Sequence, residues 1–557
     1  MSMKGMFRPK ILDTLKTYTG KQFSNDVFAG IIVGIVALPL AIAFAIASGV
    51  TPEKGLITAV VAGFIISAMG GSRVQIGGPT GAFIVIVYGI VEMYGVSGLI
   101  VATFMAGIML IIMGFARLGT VIKFIPHPLI IGFTSGIAVI IFSSQIKDFL
   151  GLQMGEVPAD FLEKWSAYFK NMHSISIYAV LIAVATIIII LLWPKISQKI
   201  PGSLMAILIT TAAVQWLNLP VETIGSRFGI ISSSFPMPEI PFVDLTTIKH
   251  LIQPAFTIAL LCAIESLLSA VVADGMVGGN HKSNMELVAQ GTANIFSSLF
   301  GGIPATGAIA RTATNVKNGG RTPVAGIVHS LVLLLILLVA GEWASYIPIA
   351  NLAGILVIVA YNMSEWKNFR SILKGPRGDV AVLLITFFLT VLIDLTIAIE
   401  VGIVLAAFLF MRDMIRFSDV STLTNEIDDE QFGYDLVDGK YQVPGNVEVF
   451  EITGPLFFGA AYKFKDAMRY IDKHSKVLII RMRHVPIIDA TGIQTLREVY
   501  TDLKKEHKKI ILSEINSVQV MKELNDARLL FAIGKGNVTD TFEIALARAD
   551  EIMSSAS

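Results

Sequence analysis

Two short stretches of this chain echo one another. One reads Gln75-Ile76-Gly77-Gly78-Pro79-Thr80-Gly81-Ala82, the other Gly301-Gly302-Ile303-Pro304-Ala305-Thr306-Gly307-Ala308. Each opens a run of apolar or small residues too short to span a bilayer as one helix. Proline and glycine interrupt helices, and backbone freed in lipid is tolerated only where it is buried in protein or lines a cavity. A helix that begins at membrane depth directs unpaired N–H groups, with about half a positive charge, at whatever lies before it. Two such ends together make a cradle for an anion. Pro79 and Pro304 stand where a helix can begin without losing a needed donor. Thr80 and Thr306 add hydroxyls, Gly81 and Gly307 let backbone approach a ligand, and Ala82 and Ala308 follow. A matched pair of interrupted spans points to the binding site of a transporter. The plainer reading is that glycine and proline are commoner in membrane helices generally.

Charges at membrane depth complete the pattern. Arg311 is the only charged residue between Phe300 and Lys317, five positions after Thr306. It supplies a permanent positive charge at the cradle, unless it is an interface residue that reaches out to water. Glu265 is alone in the apolar run 253–273. An intramembrane carboxylate is a functional site by default. Glu265 is therefore the expected proton-coupling group, with Ser269 one turn on along the same face. The competing role is a structural partner of Arg311. Asp274, Glu286, Gln290 and Asn294 read as lining helix contacts or a cytoplasmic mouth, Asp394 as a cap or water-facing residue, and Glu400 as structural. No histidine pair at metal spacing, nucleophile elbow or phosphate-binding loop occurs, so neither an enzyme nor a metal site is expected. No cofactor is expected beyond a coupling ion.

Helices of spanning length must hold these residues. Of 557 residues, 54% are hydrophobic and 15% charged, against about 25% charged in soluble proteins. The clear apolar segments are 27–49, 96–115, 175–193, 253–273, 323–341 and 395–411. Weaker ones raise the count to about fourteen crossings. The echoes stand about 226 positions apart, which suits two halves of about seven spans each. With a cytoplasmic N-terminus, alternation places most loop lysines and arginines inside, and an even count puts both termini there. The N-terminal segment lacks the short apolar core and cleavage site of a secretory signal. A net charge of +1 gives no sign of a nucleic-acid partner, and the single cysteine, Cys262, allows no internal disulfide. The expected organisation is a cytoplasmic N-terminal segment (1–23), a transmembrane domain (24–416), a linker (417–440) and a soluble domain (441–557). In the last, β-type runs at 447–453, 477–482 and 510–512 alternate with helical patterns, which predicts a small α/β fold.

The run from Gly302 to Asn315, with Asn318-Gly319-Gly320-Arg321-Thr322-Pro323, strongly resembles the sulfate permease (SulP) family, bacterial relatives of solute carrier family 26. Ala37 to Ala45 looks like that family's first span and Gln75 to Ala82 like its third. Val485-Pro486-Ile487-Ile488-Asp489-Ala490-Thr491-Gly492 resembles the strand-to-helix loop of a STAS domain. The resemblance implies an α-helical membrane protein with fourteen spans in two inverted seven-span repeats. It also implies core and gate subdomains, broken third and tenth spans, elevator-like motion, a homodimer and a cytoplasmic STAS domain. The anion then lies between spans three and ten, at Thr80, Gly81, Ala82, Thr306, Gly307, Ala308 and Arg311. The acidic residue of the family's eighth span corresponds to Glu265. Sodium-coupled bicarbonate members carry Asp followed by Thr where this chain has Glu265 and Ser269, which favours a proton over sodium. In related STAS domains the position of Thr491 can be phosphorylated, although Ala490 replaces a frequent serine.

The expected function is secondary active uptake of a small oxyanion, sulfate with a proton, across the plasma or inner membrane. Bicarbonate or a C4-dicarboxylate is the alternative cargo. A passive anion channel or exchanger, with Glu265 a structural counter-ion, is a different class of answer. A scaffold whose STAS domain binds a cytoplasmic regulator, through Asp489 and Thr491, is a third.

Overall fold

The computed structural model describes residues 7–120, 125–155, 157–158, 160–197, 200–231, 233–240, 244–393, 395–417, 419–423, 426–427, 441–443, 446–468 and 475–555. Asp394 and most of the expected linker, including 428–440, lie outside the described residues. The chain divides into two compact units, Met1–Val404 and Leu405–Ser557.

The first unit is helical: α1 (Gly20–Ala47), α2 (Pro52–Met69), α3 (Ile84–Phe115), α4 (His127–Leu150), α5 (Ile177–Leu192), α6 (Gly202–Leu217), α7 (Leu245–Val277), α8 (Ser283–Leu299), α9 (Ile309–Lys317), α10 (Val324–Ala344), α11 (Ile349–Met363), α12 (Arg377–Leu392) and α13 (Leu395–Phe417), which runs on into the second unit. Local chemistry sets the ends. Thr19 and Gln22 form a reciprocal capping box at the start of α1. Pro52 stands in the first turn of α2. Gly151 ends α4 in the left-handed conformation.

Nine helical stretches among the described residues are long and apolar enough to cross a membrane. One of them breaks at Gly95, where φ is +68°, into residues 84–94 and 96–115. Among the described residues one shorter apolar helix, α6, adds to these, and α8, α9 and α12 are further short helices of the same unit; with the break at Gly95 counted, the helical segments from α1 to α13 number fourteen. The third, 84–94, and the tenth, α9, are the short ones. Two packing groups dominate. Helices α1, α2, α3, α7, α8, α9 and α10 pack mainly among themselves, and α4, α5, α6, α11 and α12 form the second group.

Between α2 and α3 lies β1 (Gly77–Gly78), and between α8 and α9 lies β2 (Thr306–Gly307). They pair antiparallel, Gly77 with Gly307 and Gly78 with Thr306. Each strand leads straight into one of the two short helices. The chain therefore runs in opposite senses through the two breaks, as an inverted repeat requires.

The second unit holds a five-stranded sheet of β3 (Asp419–Leu423), β4 (Val447–Thr453), β5 (Val477–His484), β6 (Lys509–Ser513) and β7 (Val538–Thr539), in that spatial order. All pairings are parallel except β3 with β4. The sheet thus begins at 419, inside the stretch expected as linker. Helices α14 (Phe458–Ala467), α15 (Ala490–Lys505), α16 (Val518–Asp526) and α17 (Phe542–Ser555) complete the α/β fold. One apolar core includes Phe450, Phe464 and Leu496, and a second includes Val449, Ile479 and Phe542. Alternate residues of β4 therefore feed opposite faces of the sheet.

Candidate anion-binding site

The site is the crossing of the two strands and the helix starts beyond them. Thr80 is extended (φ −127°, ψ 159°) and a 3-10 turn at Gly81–Phe83 leads into α3. Ala308 is extended before α9. The first intrahelical bond of α9 runs from Thr312 N to Ala308 O, 2.9 Å. The preceding amides, from Ile309 to Arg311, have no acceptor within the helix. Two helix starts carrying partial positive charge are thus held side by side by β1 and β2.

The strand crossing is too tight for side chains at two points. A Cβ on Gly307 would lie 1.5 Å from Gln75 Nε2. Gly78 has φ +146°, and a Cβ there would meet Arg311 Nη1 at 2.5 Å. Ala308 N also bonds Ile76 O at 2.8 Å.

Helix α7 backs the crossing with one face. Cys262 O accepts from Thr306 Oγ1 at 3.0 Å, and Ser266 O accepts from Gln75 Nε2 at 2.9 Å. Glu265 Oε2 accepts from Thr80 Oγ1 at 2.7 Å. Ser269 Oγ lies 3.3 Å from Thr312 Oγ1, which itself accepts from Ile76 N. Residues 262, 265/266 and 269 recur at helical spacing, so a single stripe serves both breaks.

Arg311 is buried, and its Nη2 donates to Pro79 O. Its Nη1 has no hydrogen-bond partner among the described residues, which leaves a charged donor to spare. Arg311 and Glu265 form no ion pair among the described residues. The carboxylate is engaged by Thr80 and the guanidinium by the backbone of the opposite break. Thr306, Gly307, Gly81 and Ala82 are buried, while Thr80 and Glu265 are half-buried and Ile309 and Ala310 exposed. The open edge of the site therefore carries Thr80 and Glu265. Beside Gly81 stand Met363 of α11, Ile141 of α4 and Phe44 of α1. The site faces both packing groups.

A buried polar frame, only partly legible in the sequence, holds the loops in place. Asn294 grips Ala305 twice, Nδ2 to O at 2.8 Å and Oδ1 from N at 2.9 Å. Glu286 accepts from Gly71 N, Ser72 N and Gln290 Nε2. Thr58 Oγ1 accepts from Ile303 N and Asn315 Nδ2 donates to Val74 O. Asp26, fully buried near the start of α1, accepts from Arg321 N, Thr322 N and the Thr322 hydroxyl. Gln75 and Thr312 matter as much as the expected residues. Their signal in the sequence was only that each is a polar residue beside a break. Asp274 instead accepts from His281, through the backbone N and the ring, and Glu400 is exposed.

In the second unit Asp489 caps α15, its Oδ1 accepting from Gly492 N at 2.7 Å and its Oδ2 from Phe458 N at 3.2 Å. Thr491 is exposed in the first turn. The capping role falls to Asp489 and leaves the Thr491 hydroxyl at the surface.

Comparison with known proteins gives the family. The profile of the sulfate permease family matches residues 23–386, and that of the STAS domain matches residues 440–545. The chain is 43% identical over 527 residues, 94% of its length and 97% of the relative's, to the "Putative sulfate transporter YvdB" of Bacillus subtilis (strain 168). It is 32% identical over 455 residues to the bicarbonate transporter BicA of Picosynechococcus sp., covering 79% of this chain and 80% of the relative. Among solved structures, the transmembrane domain of a cyanobacterial BicA matches 70% of this chain and 98% of its own, with TM-score 0.62 and 30% identity. Murine Slc26a9 in its inward-facing state shares the fold, with TM-score 0.88 at 18% identity over 99% of this chain and 95% of its own. The broken-helix crossing, the multi-pass helical unit and the α/β domain after it have one assignment: the chain belongs to the sulfate permease family of membrane anion transporters and carries a C-terminal STAS domain.

Proposed function

We propose that this protein takes up sulfate together with a proton, by secondary active transport. The observation that carries the reading is the shared construction of the two breaks. Two helix starts and Arg311 provide positive potential at one place, and Glu265 touches that place through Thr80. The sulfate oxygens accept hydrogen bonds from the amides of Gly81, Ala82, Ile309 and Ala310, from Arg311 and, once Glu265 is protonated and donates to Thr80, from the Thr80 hydroxyl; Thr306, whose proton goes to Cys262 O, shapes the site. Glu265 carries the proton. A proton on Glu265 removes a negative charge beside an incoming anion, so the two ligands favour one another's binding. Loss of the anion then favours loss of the proton.

The packing group that contains both breaks moves as a body against the group of α4, α5, α6, α11 and α12, in an elevator-like step. The protein works as a homodimer, with both termini cytoplasmic. The STAS domain binds a cytoplasmic regulator through the surface around Thr491. The sulfate reading draws on the Bacillus subtilis relative, and bicarbonate, named for two relatives, is the second reading.

The deciding experiment is an uptake panel in proteoliposomes with sulfate, bicarbonate and fumarate, under an inward proton gradient, an inward sodium gradient, or neither. Sulfate accumulation that needs only the proton gradient is the expected result. Accumulation of bicarbonate alone, driven by sodium, overturns it.

A further inference from the structure

The long connection between α4 and α5 contains a helix, Phe161–Lys170, that plays no part in the site above. Asp160 caps it, Oδ1 accepting from Leu162 N and Glu163 N. Lys164 and Tyr168 stand one turn apart on the same face. Both are buried, Lys164 being 5% exposed and Tyr168 1%. Among the described residues the Tyr168 hydroxyl is buried without a hydrogen-bond partner. Lys164 is in no ion pair among the described residues and borders a cavity instead. Burial pushes Lys164 below the usual lysine range, while Glu92 and Asp160 oppose the shift from beyond ion-pair distance.

Lys164 lines a cavity of about 1040 Å³. The other cations on its wall are already engaged. Arg227 meets Asp148 at 2.7 Å and Glu222 at 2.5 Å, and Lys147 donates to Gly155 O. The cavity wall follows the half-helix 84–94 from Ile84, next to the strand crossing, to Glu92. At 1.5 Å per residue that path is about 12 Å long. The cavity thus connects the neighbourhood of the anion cradle to Lys164.

We propose that Lys164 forms a second anion-binding site on this cavity, at which a small inorganic oxyanion waits before it reaches the cradle between β1 and β2. The ammonium supplies charge and up to three hydrogen-bond donors, which suits an anion with several acceptor oxygens. The role as a waiting site rests on the transport reading above; the binding itself does not.

Trp165 stands between the two residues in sequence, its Nε1 donating to Ser143 Oγ at 3.2 Å, and serves as a reporter. The full chain in nanodiscs is titrated at constant ionic strength with sodium sulfate and, separately, sodium bicarbonate, while tryptophan emission is read. The expected result is a saturable change with at least one of the two. It persists in Arg311→Ala and disappears in Trp165→Phe and Lys164→Gln. Tyr168→Phe, which removes a buried hydroxyl outside the cavity wall, leaves it unaltered. No change in the parent, an unaltered change in Lys164→Gln, or loss of the change in Arg311→Ala each overturns the second site. In proteoliposomes, Lys164→Gln raises the apparent KM for sulfate by up to about tenfold, a factor worth about 1.4 kcal/mol, with the maximal rate preserved. A fall in maximal rate at constant KM overturns the waiting role. If the parent accumulates neither anion, the transport reading fails while the emission titration still decides the site.

Discussion

Thr80 Oγ1 donates to Glu265 Oε2 across 2.7 Å, joining the first turn beyond one helix break to the middle of α7, 185 positions away. The same threonine precedes the free amides of the anion cradle. In the proposed reading, a proton on the carboxyl and an anion at the helix start share one hydroxyl. Glu265→Gln keeps the shape and the hydrogen bond but cannot titrate. The variant is expected to lose sulfate accumulation under an inward proton gradient and to keep counterflow exchange without one. Gradient-driven accumulation by the variant removes Glu265 from the coupling role.

Arg311 places one nitrogen on Pro79 O and has no partner for the other, beside Gly78, among the described residues. Arg311→Ala removes a charge-assisted hydrogen bond, worth roughly 1.5–3 kcal/mol, so apparent sulfate affinity should fall by about 10- to 100-fold. Arg311→Lys should recover little, because a compact ammonium cannot serve Pro79 and an anion in fork geometry at once. Equilibrium binding on correctly inserted protein checks both. An unchanged affinity in the alanine variant rules out anion contact.

Gly307→Ala forces a methyl into the place of Gln75 Nε2. Gln75 must then leave Ser266 O, and the pairing of β1 with β2 opens. Overpacking of this kind costs about 1–3 kcal/mol. The single variant should bind anion weakly and melt earlier. Adding Gln75→Ala should restore part of the melting temperature but not all of the affinity. A double-mutant cycle with no coupling would falsify this account of the crossing.

Asp489→Ala removes the acceptor for Gly492 N and Phe458 N, an N-cap loss of about 1 kcal/mol. Hydrogen exchange across the first turn of α15 in the full chain should quicken accordingly. Thr491 can be changed without touching that cap. If a negative charge there regulates transport, Thr491→Glu alters the maximal uptake rate and leaves apparent affinity alone, while Thr491→Ala behaves as the parent. Equal rates in all three proteins reduce Thr491 to an ordinary surface residue.

Near the N-terminus, Asp13 accepts from Lys282 Nζ at 2.6 Å, and Lys10 Nζ donates to Asn280 O. The hydrogen bond from Lys282 holds the Asp13 carboxyl below the usual carboxylate range. A carboxylate whose folded value is depressed contributes stability above its unfolded value, about 3.9, and loses it as pH falls through the folded value. Asp13 is partly exposed, so the contribution is under about 1 kcal/mol. Protection of the amides at residues 11–14, corrected for the intrinsic exchange rate, should therefore fall below about pH 4. Asp13→Asn should show the lower protection already at pH 7. Unchanged protection in that variant shows that the Asp13–Lys282 contact contributes no stability.

What could be read from the chain was what local chemistry dictates. Proline and glycine at 77–81 and 304–307 must break a helix wherever they stand, so both breaks and the residues around them were recognisable. Lone charges in apolar runs drew attention to Glu265 and Arg311 because lipid makes them costly. Alternating apolar runs after 441 announced the α/β fold. The tertiary structure decided which distant groups meet. Nothing local pairs Gly307 with Gly77, sends Gln75 to Ser266, or gives Glu265 to Thr80 rather than to Arg311. Strand β3 belongs to the sheet only because β4, two dozen residues later, offers it an edge. Nothing local marks Lys164 out from the other charges of its loop; its place on a cavity wall exists only once α3 and α4 close around it. Periodicity and breakage are properties of neighbouring residues, whereas burial and pairing depend on chain segments brought together by folding.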